Sequence, residues 1–226
     1  MKKLFLAIIA ITTFFGCKES SPVRDRFWGG GYSTSHYITN YIVMEKIIVD
    51  NNDGALCIKV SGQDFCTLWP EDEEEGLYFA DLYNDNSYDG VVRGFTNIAL
   101  AYPLDKITIS CDKDFDANHP AGEPLDDIAQ LKYSSFYPFI ENGYQHFSKD
   151  DWEYRDCVGY SMNFDSINAE ITKLVKAEFI PYLSGQGDIA KIEFASQPEK
   201  LGEYTFTLEL TTNGETFSTE FTYTFE

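Results

Sequence analysis

Residues 197–225, QPEKLGEYTFTLELTTNGETFSTEFTYTF, decide the fold class. Tyr204, Phe206, Leu208 and Leu210 alternate with Thr205, Thr207 and Glu209, and Phe217, Thr219, Phe221 and Tyr223 alternate beyond Asn213 and Gly214. Successive strand side chains point to opposite faces, so a period of two marks half-buried strands. Asn-Gly is the pair best suited to the positive φ angles of a two-residue hairpin turn. This chain is therefore expected to end in a β-hairpin.

Working outward, the same signals recur. HYITNYIVMEKIIVD (36–50), NNDG and ALCIKV (55–60) read as a strand, a turn and a second strand. TNIALAYPL (96–104) leads into DKITIS (105–110), where Ile107 and Ile109 alternate with Thr108 and Ser110. Helical signals are fewer. PEDEEEG (70–76) reads as a solvated acidic turn before LYFADLY, and EPLDDIAQL (123–131) as a short helix with Pro124 in its first turn. Residues 132–160 read as a loop crowded with aromatics. DSINAEITKLVKAEFIPYL (165–183) places Ile167, Ile171, Leu174 and Val175 on one helical stripe ended by Pro181. No internal repeat appears, which argues against a solenoid or propeller. The expected fold is mainly β: an immunoglobulin-like antiparallel β-sandwich with one or two short helices.

The N-terminus carries the location. Lys2 and Lys3 precede an apolar run from Leu4 to Phe15, and Gly16 is followed by Cys17. That run is too short for a membrane span and reads as an export signal. Its Gly-Cys ending resembles a bacterial lipoprotein signal, in which Cys17 would carry the lipid; a plain secretory signal is the alternative. Lys18 and Glu19 resemble the surface-export signal of Bacteroidetes lipoproteins. The expected organisation is a signal over 1–16, a flexible Gly-rich tether over 17–35, and a single β-rich domain over 36–226.

Thirty-seven acidic residues against 17 basic ones give a net charge of −20. Such a field repels nucleic acid and anionic membrane surfaces, leaving the lipid at Cys17 as the expected link to a membrane. Aromatics make up 16% of the chain, enough to build a core. Cys57, Cys66, Cys111 and Cys157 permit two disulfides in three pairings, or buried thiols. No Cys-x-x-Cys pair supports zinc.

Two constellations could bind a ligand. In CDKDFDANHPAGE (111–123), Asp112, Asp114, Asp116 and Glu123 reproduce positions one, three, five and twelve of a calcium loop. The sixth position, where such a loop needs glycine, is Ala117. The expected reading is an acidic turn whose aspartates satisfy local backbone donors, with calcium the alternative. Asp85, Ser87, Asp89 and Gly90 form half of the same motif and are also read as a turn. Between 133 and 157, Tyr133, Tyr137, Tyr144, Trp152 and Tyr154 could stack on sugars; the competing reading packs them into the core.

Catalytic motifs are missing: there is no Gly-x-Ser-x-Gly, His-Glu-x-x-His or phosphate loop, and His36, His119 and His146 have no recognisable partner spacing. Taken together, the signal at Cys17, DKITISCDKDFDANHPAGEPLDDI (105–128) and GEYTFTLEL (202–210) resemble small Bacteroidetes lipoproteins of families of unknown function. That resemblance implies an envelope location, with attachment to the outer membrane, and a structural role for Asp112 to Glu123. The final hairpin is similar to the last strands of bacterial immunoglobulin-like modules. The functional expectation is a lipid-anchored, non-enzymatic binding or scaffolding module with an unidentified surface ligand. A glycan-acting enzyme and a calcium-stabilised adhesion module are the alternatives.

Overall fold

The computed structural model describes residues 31–52, 54–68, 73–93, 97–145, 158–171 and 188–226. In chain order the elements are β1 Gly31–Thr34, β2 Asn40–Asn52, β3 Ala55–Cys66, α1 Glu73–Leu82, β4 Gly90–Arg93, β5 Ile98–Leu100, β6 Leu104–Cys111, β7 Ala129–Ser135, α2 Tyr137–Glu141, β8 Val158–Asn163, α3 Phe164–Ile171, β9 Asp188–Phe194, β10 Gly202–Thr212 and β11 Glu215–Phe225. Three sheets result: a six-stranded one ordered β5-β2-β3-β9-β7-β8, a three-stranded one ordered β11-β10-β6, and the pair β1-β4. The protein is mainly β, as the alternation of its sequence requires. None of the described helices is long and apolar enough to cross a membrane.

The C-terminal hairpin forms as read. Asn213 and Gly214 both adopt positive φ (50° and 76°), and β10 and β11 pair without interruption from Thr212↔Glu215 to Gly202↔Phe225. Tyr204, Phe206, Leu208, Leu210, Phe221 and Phe225 are buried. They share the main core with Ile107 and Ile109 of β6 and with Leu56, Ile58, Leu131 and Ile192 of the larger sheet.

A second, smaller core gathers Tyr37, Ile38, Tyr41, Phe79, Tyr83, Phe136 and Phe139 beneath α1 and α2. Strand β2 serves both cores. Tyr41 and Val43 belong to the smaller one, whereas Ile47 and Val49, of the same parity, belong to the main one. A bulge between Met44 and Lys46 makes the exchange possible, because one extra residue reverses the alternation. Gly62 sits opposite the bulge, where a Cβ would overlap the Val43 carbonyl oxygen and lie 2.9 Å from the Glu45 nitrogen. Only glycine fits there.

One edge of the three-stranded sheet is sealed by side chains. The Asn168 amide, on α3, accepts from the Ile107 N–H (2.9 Å) and donates to the Ile107 carbonyl (2.7 Å). Asp126 accepts from the Ile109 N–H at 2.9 Å, while the Ile109 and Cys111 carbonyls accept from the Leu125 and Gly122 N–H groups, both at 2.8 Å. Five outward backbone groups of β6, the N–H and C=O of Ile107 and of Ile109 and the C=O of Cys111, thus have partners, a usual defence of a sheet edge.

Several expectations need correction. Strand β5 runs parallel to β2, so the sheets are not wholly antiparallel. Gly31–Thr34, placed in the tether by its glycines, pairs with Gly90–Arg93. Glu73 to Glu75 open helix α1 instead of forming a turn, since carboxylates are favourable at a helix N-terminus. Gly76 brings that helix onto β3: a Cβ there would lie 3.2 Å from the Cys66 carbonyl oxygen. Residues 125–128 make a single turn that delivers the chain into β7, because Leu125 and Asp126 are bonded to Ile109 and cannot continue a helix away from it. The expected loop over 132–160 contains part of β7, all of α2 and the start of β8. Helix α3 begins where the sequence places it and buries Ile167; residues 172–187 lie outside the described ones.

Cys57, Cys66 and Cys111 are all buried, and no disulfide joins any two of them. Cys57 and Cys66 stand at opposite ends of one extended strand, too far apart to bridge. Cys157 lies outside the described residues, as does Cys17.

Candidate functional site

The acidic loop after β6 is anchored by its one aromatic residue. Phe115 is fully buried and its ring lies 5.7 Å from Phe225, 5.9 Å from Phe194 and 6.0 Å from Tyr204. With Phe115 and Cys111 turned inward, the aspartates between and beyond them turn outward, and each finds a different donor. Asp112 accepts from the Thr205 N–H (2.9 Å), and Asp114 from the Ala121 N–H (2.9 Å). Asp116 accepts from the N–H groups of Asn118 (2.8 Å) and His119 (3.0 Å). Glu123 is exposed. Asp114 and Asp116 thus make the local bonds expected of an acidic turn, whereas Asp112 reaches across to β10; among the described residues no group of three or more His, Cys, Asp or Glu could hold a metal ion.

His119 locks the loop to the turn that precedes β7. Its Nδ1 lies 2.8 Å from Asp116 Oδ1 and its Nε2 3.0 Å from Asp127 Oδ1. Both ring nitrogens face carboxylates, which suits the doubly protonated imidazolium. Desolvation acts to lower the His119 pKa, but the hydrogen bonds and charges of Asp116 and Asp127 outweigh it and the net shift is upward.

Beside this loop lies an open recess of about 510 Å³ whose lining includes Lys113, Asp114, Ala121, Lys200, Leu201 and Tyr204. Lys113 spans it: Nζ sits 5.5 Å from the Tyr204 ring centroid and donates to the Glu203 carbonyl oxygen. The Tyr204 hydroxyl donates to the Lys200 carbonyl oxygen at 2.7 Å, which fixes the floor. Leu201 is 59% exposed at the rim. Ammonium donors, a carboxylate acceptor and an apolar patch therefore meet in a volume typical of small-ligand sites. Such a surface can bind and orient a polar molecule. Beneath the loop the Cys111 thiol donates to the Lys113 carbonyl oxygen at 3.0 Å, and burial raises its pKa.

Comparison with protein-family models, curated proteins and solved structures finds no match.

A second polar centre lies in the smaller core. Asp85 is fully buried, and its carboxylate accepts from the Tyr37 N–H (2.8 Å), the Ile38 N–H (2.7 Å) and the Tyr144 hydroxyl (3.0 Å). Desolvation raises its pKa to about 6 despite those bonds. Its own desolvation and then the Asp85 carboxylate hold the Tyr144 phenol up at about 12. Asp85, read in the sequence as part of a calcium half-motif, instead ties the loop after α1 to the approach to β2 and to the turn after α2.

The residues considered for glycan stacking are distributed as follows. Tyr144, at φ 62°, packs its ring 5.2 Å from Tyr88 and 5.7 Å from Phe139. Tyr133 is buried on β7, stacked on Tyr160 at 5.2 Å. Tyr137 opens α2 and is half-buried. Trp152 and Tyr154 lie outside the described residues. Lys113, Lys200, Leu201 and Tyr204 were not singled out by their sequence positions: they come from segments about 90 residues apart, and only the pairing of β6 with β10 brings them together.

Proposed function

We propose that this chain is a lipid-anchored binding module of the bacterial cell envelope, attached through Cys17 to the outer membrane and presenting the recess beside the 111–127 loop to a ligand at the cell surface. The observation that carries the reading is the N-terminal pattern: two lysines, an apolar run ending at Phe15, and Gly16 before Cys17. An acidic, aromatic-rich β domain suits display in that setting, since its net charge of −20 resists unspecific adsorption to nucleic acid and anionic lipid. Two sheets sharing one core favour a sandwich-like arrangement, and the terminal hairpin is the part most similar to an immunoglobulin-like module. The recess supports binding in preference to catalysis, because it offers polar groups of both signs around an exposed leucine.

The test is metabolic labelling with a radioactive fatty acid, followed by protease treatment of intact cells. Labelled wild-type protein, no label on Cys17→Ser, and digestion at the surface are expected. An unlabelled, protease-protected chain would refute the anchor and its orientation.

A further inference from the structure

We propose that the cleft between the two larger sheets, beside the β2-β3 turn, is a binding site for one neutral sugar ring. It is a second site: it shares no lining residue with the recess beside the 111–127 loop and does not rest on the lipid anchor.

The cleft encloses about 290 Å³ and draws on both sheets. Leu56 and Ile192, cross-strand partners on β3 and β9, supply one side of its floor, and Phe225 at the end of β11 supplies the other. All three are buried. Phe194 and Tyr223 are only half-buried and form adjoining walls, their ring centroids 6.5 Å apart and their planes inclined by 38°. Both rings rest on Phe225, at 5.6 and 4.8 Å, so the core holds the walls in place. Gly54, in the β2-β3 turn, keeps the mouth open: it stands at φ 82°, with no atom within 4 Å of where a Cβ would be.

Polar groups line the rim. The side chains of Ser196 and Gln197 and the Tyr223 hydroxyl make no hydrogen bond to any described residue, so they are available to a ligand. The loop from β9 to β10 that carries Ser196 and Gln197 is fixed on both sides of them. The Ala195 N–H donates to the Ile128 carbonyl oxygen (2.9 Å), the Glu199 N–H donates to the Phe115 carbonyl oxygen (2.8 Å), and Pro198 is buried. Their backbone is therefore in place before a ligand arrives, which lowers the ordering cost of binding.

Charge and size select the ligand. Among the described residues that line the cleft, Glu193 carries the sole carboxylate, and Lys132 Nζ neutralises it at 2.6 Å; none is lysine, arginine or histidine. A cation finds no unpaired carboxylate there and an anion finds no ammonium, while the net charge of −20 repels anions further. The volume lies at the small end of ligand sites and suits a single ring. Aromatic walls call for an apolar face, and two hydroxyls with a primary amide call for hydroxyl groups around its edge. A pyranose combines both. A purely apolar ligand would cover the rim groups without matching them, at a cost in free energy.

The test uses the full chain and saturation-transfer NMR with methyl β-glucoside, methyl β-galactoside and methyl α-mannoside, a method that reads the roughly millimolar affinity expected of one ring. Glucuronate and cyclohexanol serve as comparisons: the first adds a charge, the second keeps a single hydroxyl. At least one methyl glycoside is expected to bind, about fivefold or more tighter than either comparison. Gln197→Ala, at an exposed and unbonded side chain, should weaken it by about three- to tenfold at an unchanged melting temperature. Tyr223→Ala should weaken it by about tenfold; if that variant fails to fold, Gln197→Ala decides alone. Tyr78→Ala, which removes an exposed tyrosine of α1 outside the cleft, should change nothing. No transfer at about 50 mM glycoside, equal binding of glucuronate or cyclohexanol, or affinity that survives Gln197→Ala would each overturn the proposal. Binding lost in Lys113→Ala and kept in Gln197→Ala would move the sugar to the other recess and overturn it too. None of these outcomes depends on Cys17, so a failure here is separable from a failure of the anchor.

Discussion

Replacing Asp85 by asparagine should destabilise the protein by an amount that grows as the pH falls. In the wild type, Oδ1 accepts from Tyr37 and Tyr144 and Oδ2 accepts from Ile38. The asparagine oxygen can keep the first two partners, but its amide group would face the Ile38 N–H, donor against donor. Leaving that buried N–H unmatched costs ~1–3 kcal/mol. The pH dependence comes from burial. A carboxyl whose pKa rises from 3.8 to about 6 on folding makes the ionised folded state ~3 kcal/mol less favourable than it would otherwise be. The folded state holds the proton more tightly, so this contribution is fully present below pH ~4 and is lost as pH rises through ~6. Asparagine has no such titration. The wild-type advantage should therefore be larger at pH 4 than at pH 7.5 by ~2.5 kcal/mol. Urea unfolding of both proteins at the two pH values measures it, and every other titrating group cancels in the double difference. An advantage that stays constant within ~0.5 kcal/mol, or one that shrinks at low pH, would refute the assignment of Asp85 as a desolvated carboxylate.

Other consequences are read from single residues. Gly62→Ala should cost ~3 kcal/mol or more, or prevent folding, because the new methyl meets the Val43 carbonyl opposite the bulge; Gly54→Ala, with open space around it but φ 82°, should cost only ~1 kcal/mol in the same thermal melt. His119→Gln should lower the melting temperature at pH 5 and converge on the wild type at higher pH. A raised imidazole pKa contributes stability below the unfolded value and loses it as pH climbs through the folded one. Calcium against chelator should leave the melting temperature unchanged, since Asp112, Asp114 and Asp116 are directed at separate backbone donors; a rise abolished by Asp112→Ala would reverse this view of the loop.

Local chemistry was legible wherever the period was clean and the turn residues were diagnostic. The strands around Ile107 and Ile109, the β2-β3 pair and the Asn213-Gly214 hairpin follow from alternation and positive-φ preference alone. The turn character of 111–123 was legible for Asp114 and Asp116, which accept from N–H groups within the loop, but not for Asp112, whose partner Thr205 is 93 residues away. What misled the reading was environment. EPLDDIAQL has helical composition, yet Asp126 and Leu125 are claimed by the edge of β6, and the acidic run at 73–75 becomes a helix start because Gly76 lets α1 approach β3. Nothing near Asp85 in the chain announces its burial; its partners are 47, 48 and 59 residues away.

By itself, the sequence determined the mainly β character and the terminal hairpin, since both rest on neighbouring residues and a short-range preference. Only the tertiary structure decided the bulge that lets β2 feed two cores, the recess shared by Lys113 and Lys200, and the partners that cover the outer edge of β6. Those features depend on strand register and on contacts across tens of residues. A period-two pattern states which side chains face inward, but not which strand lies alongside or which backbone groups are left for a partner.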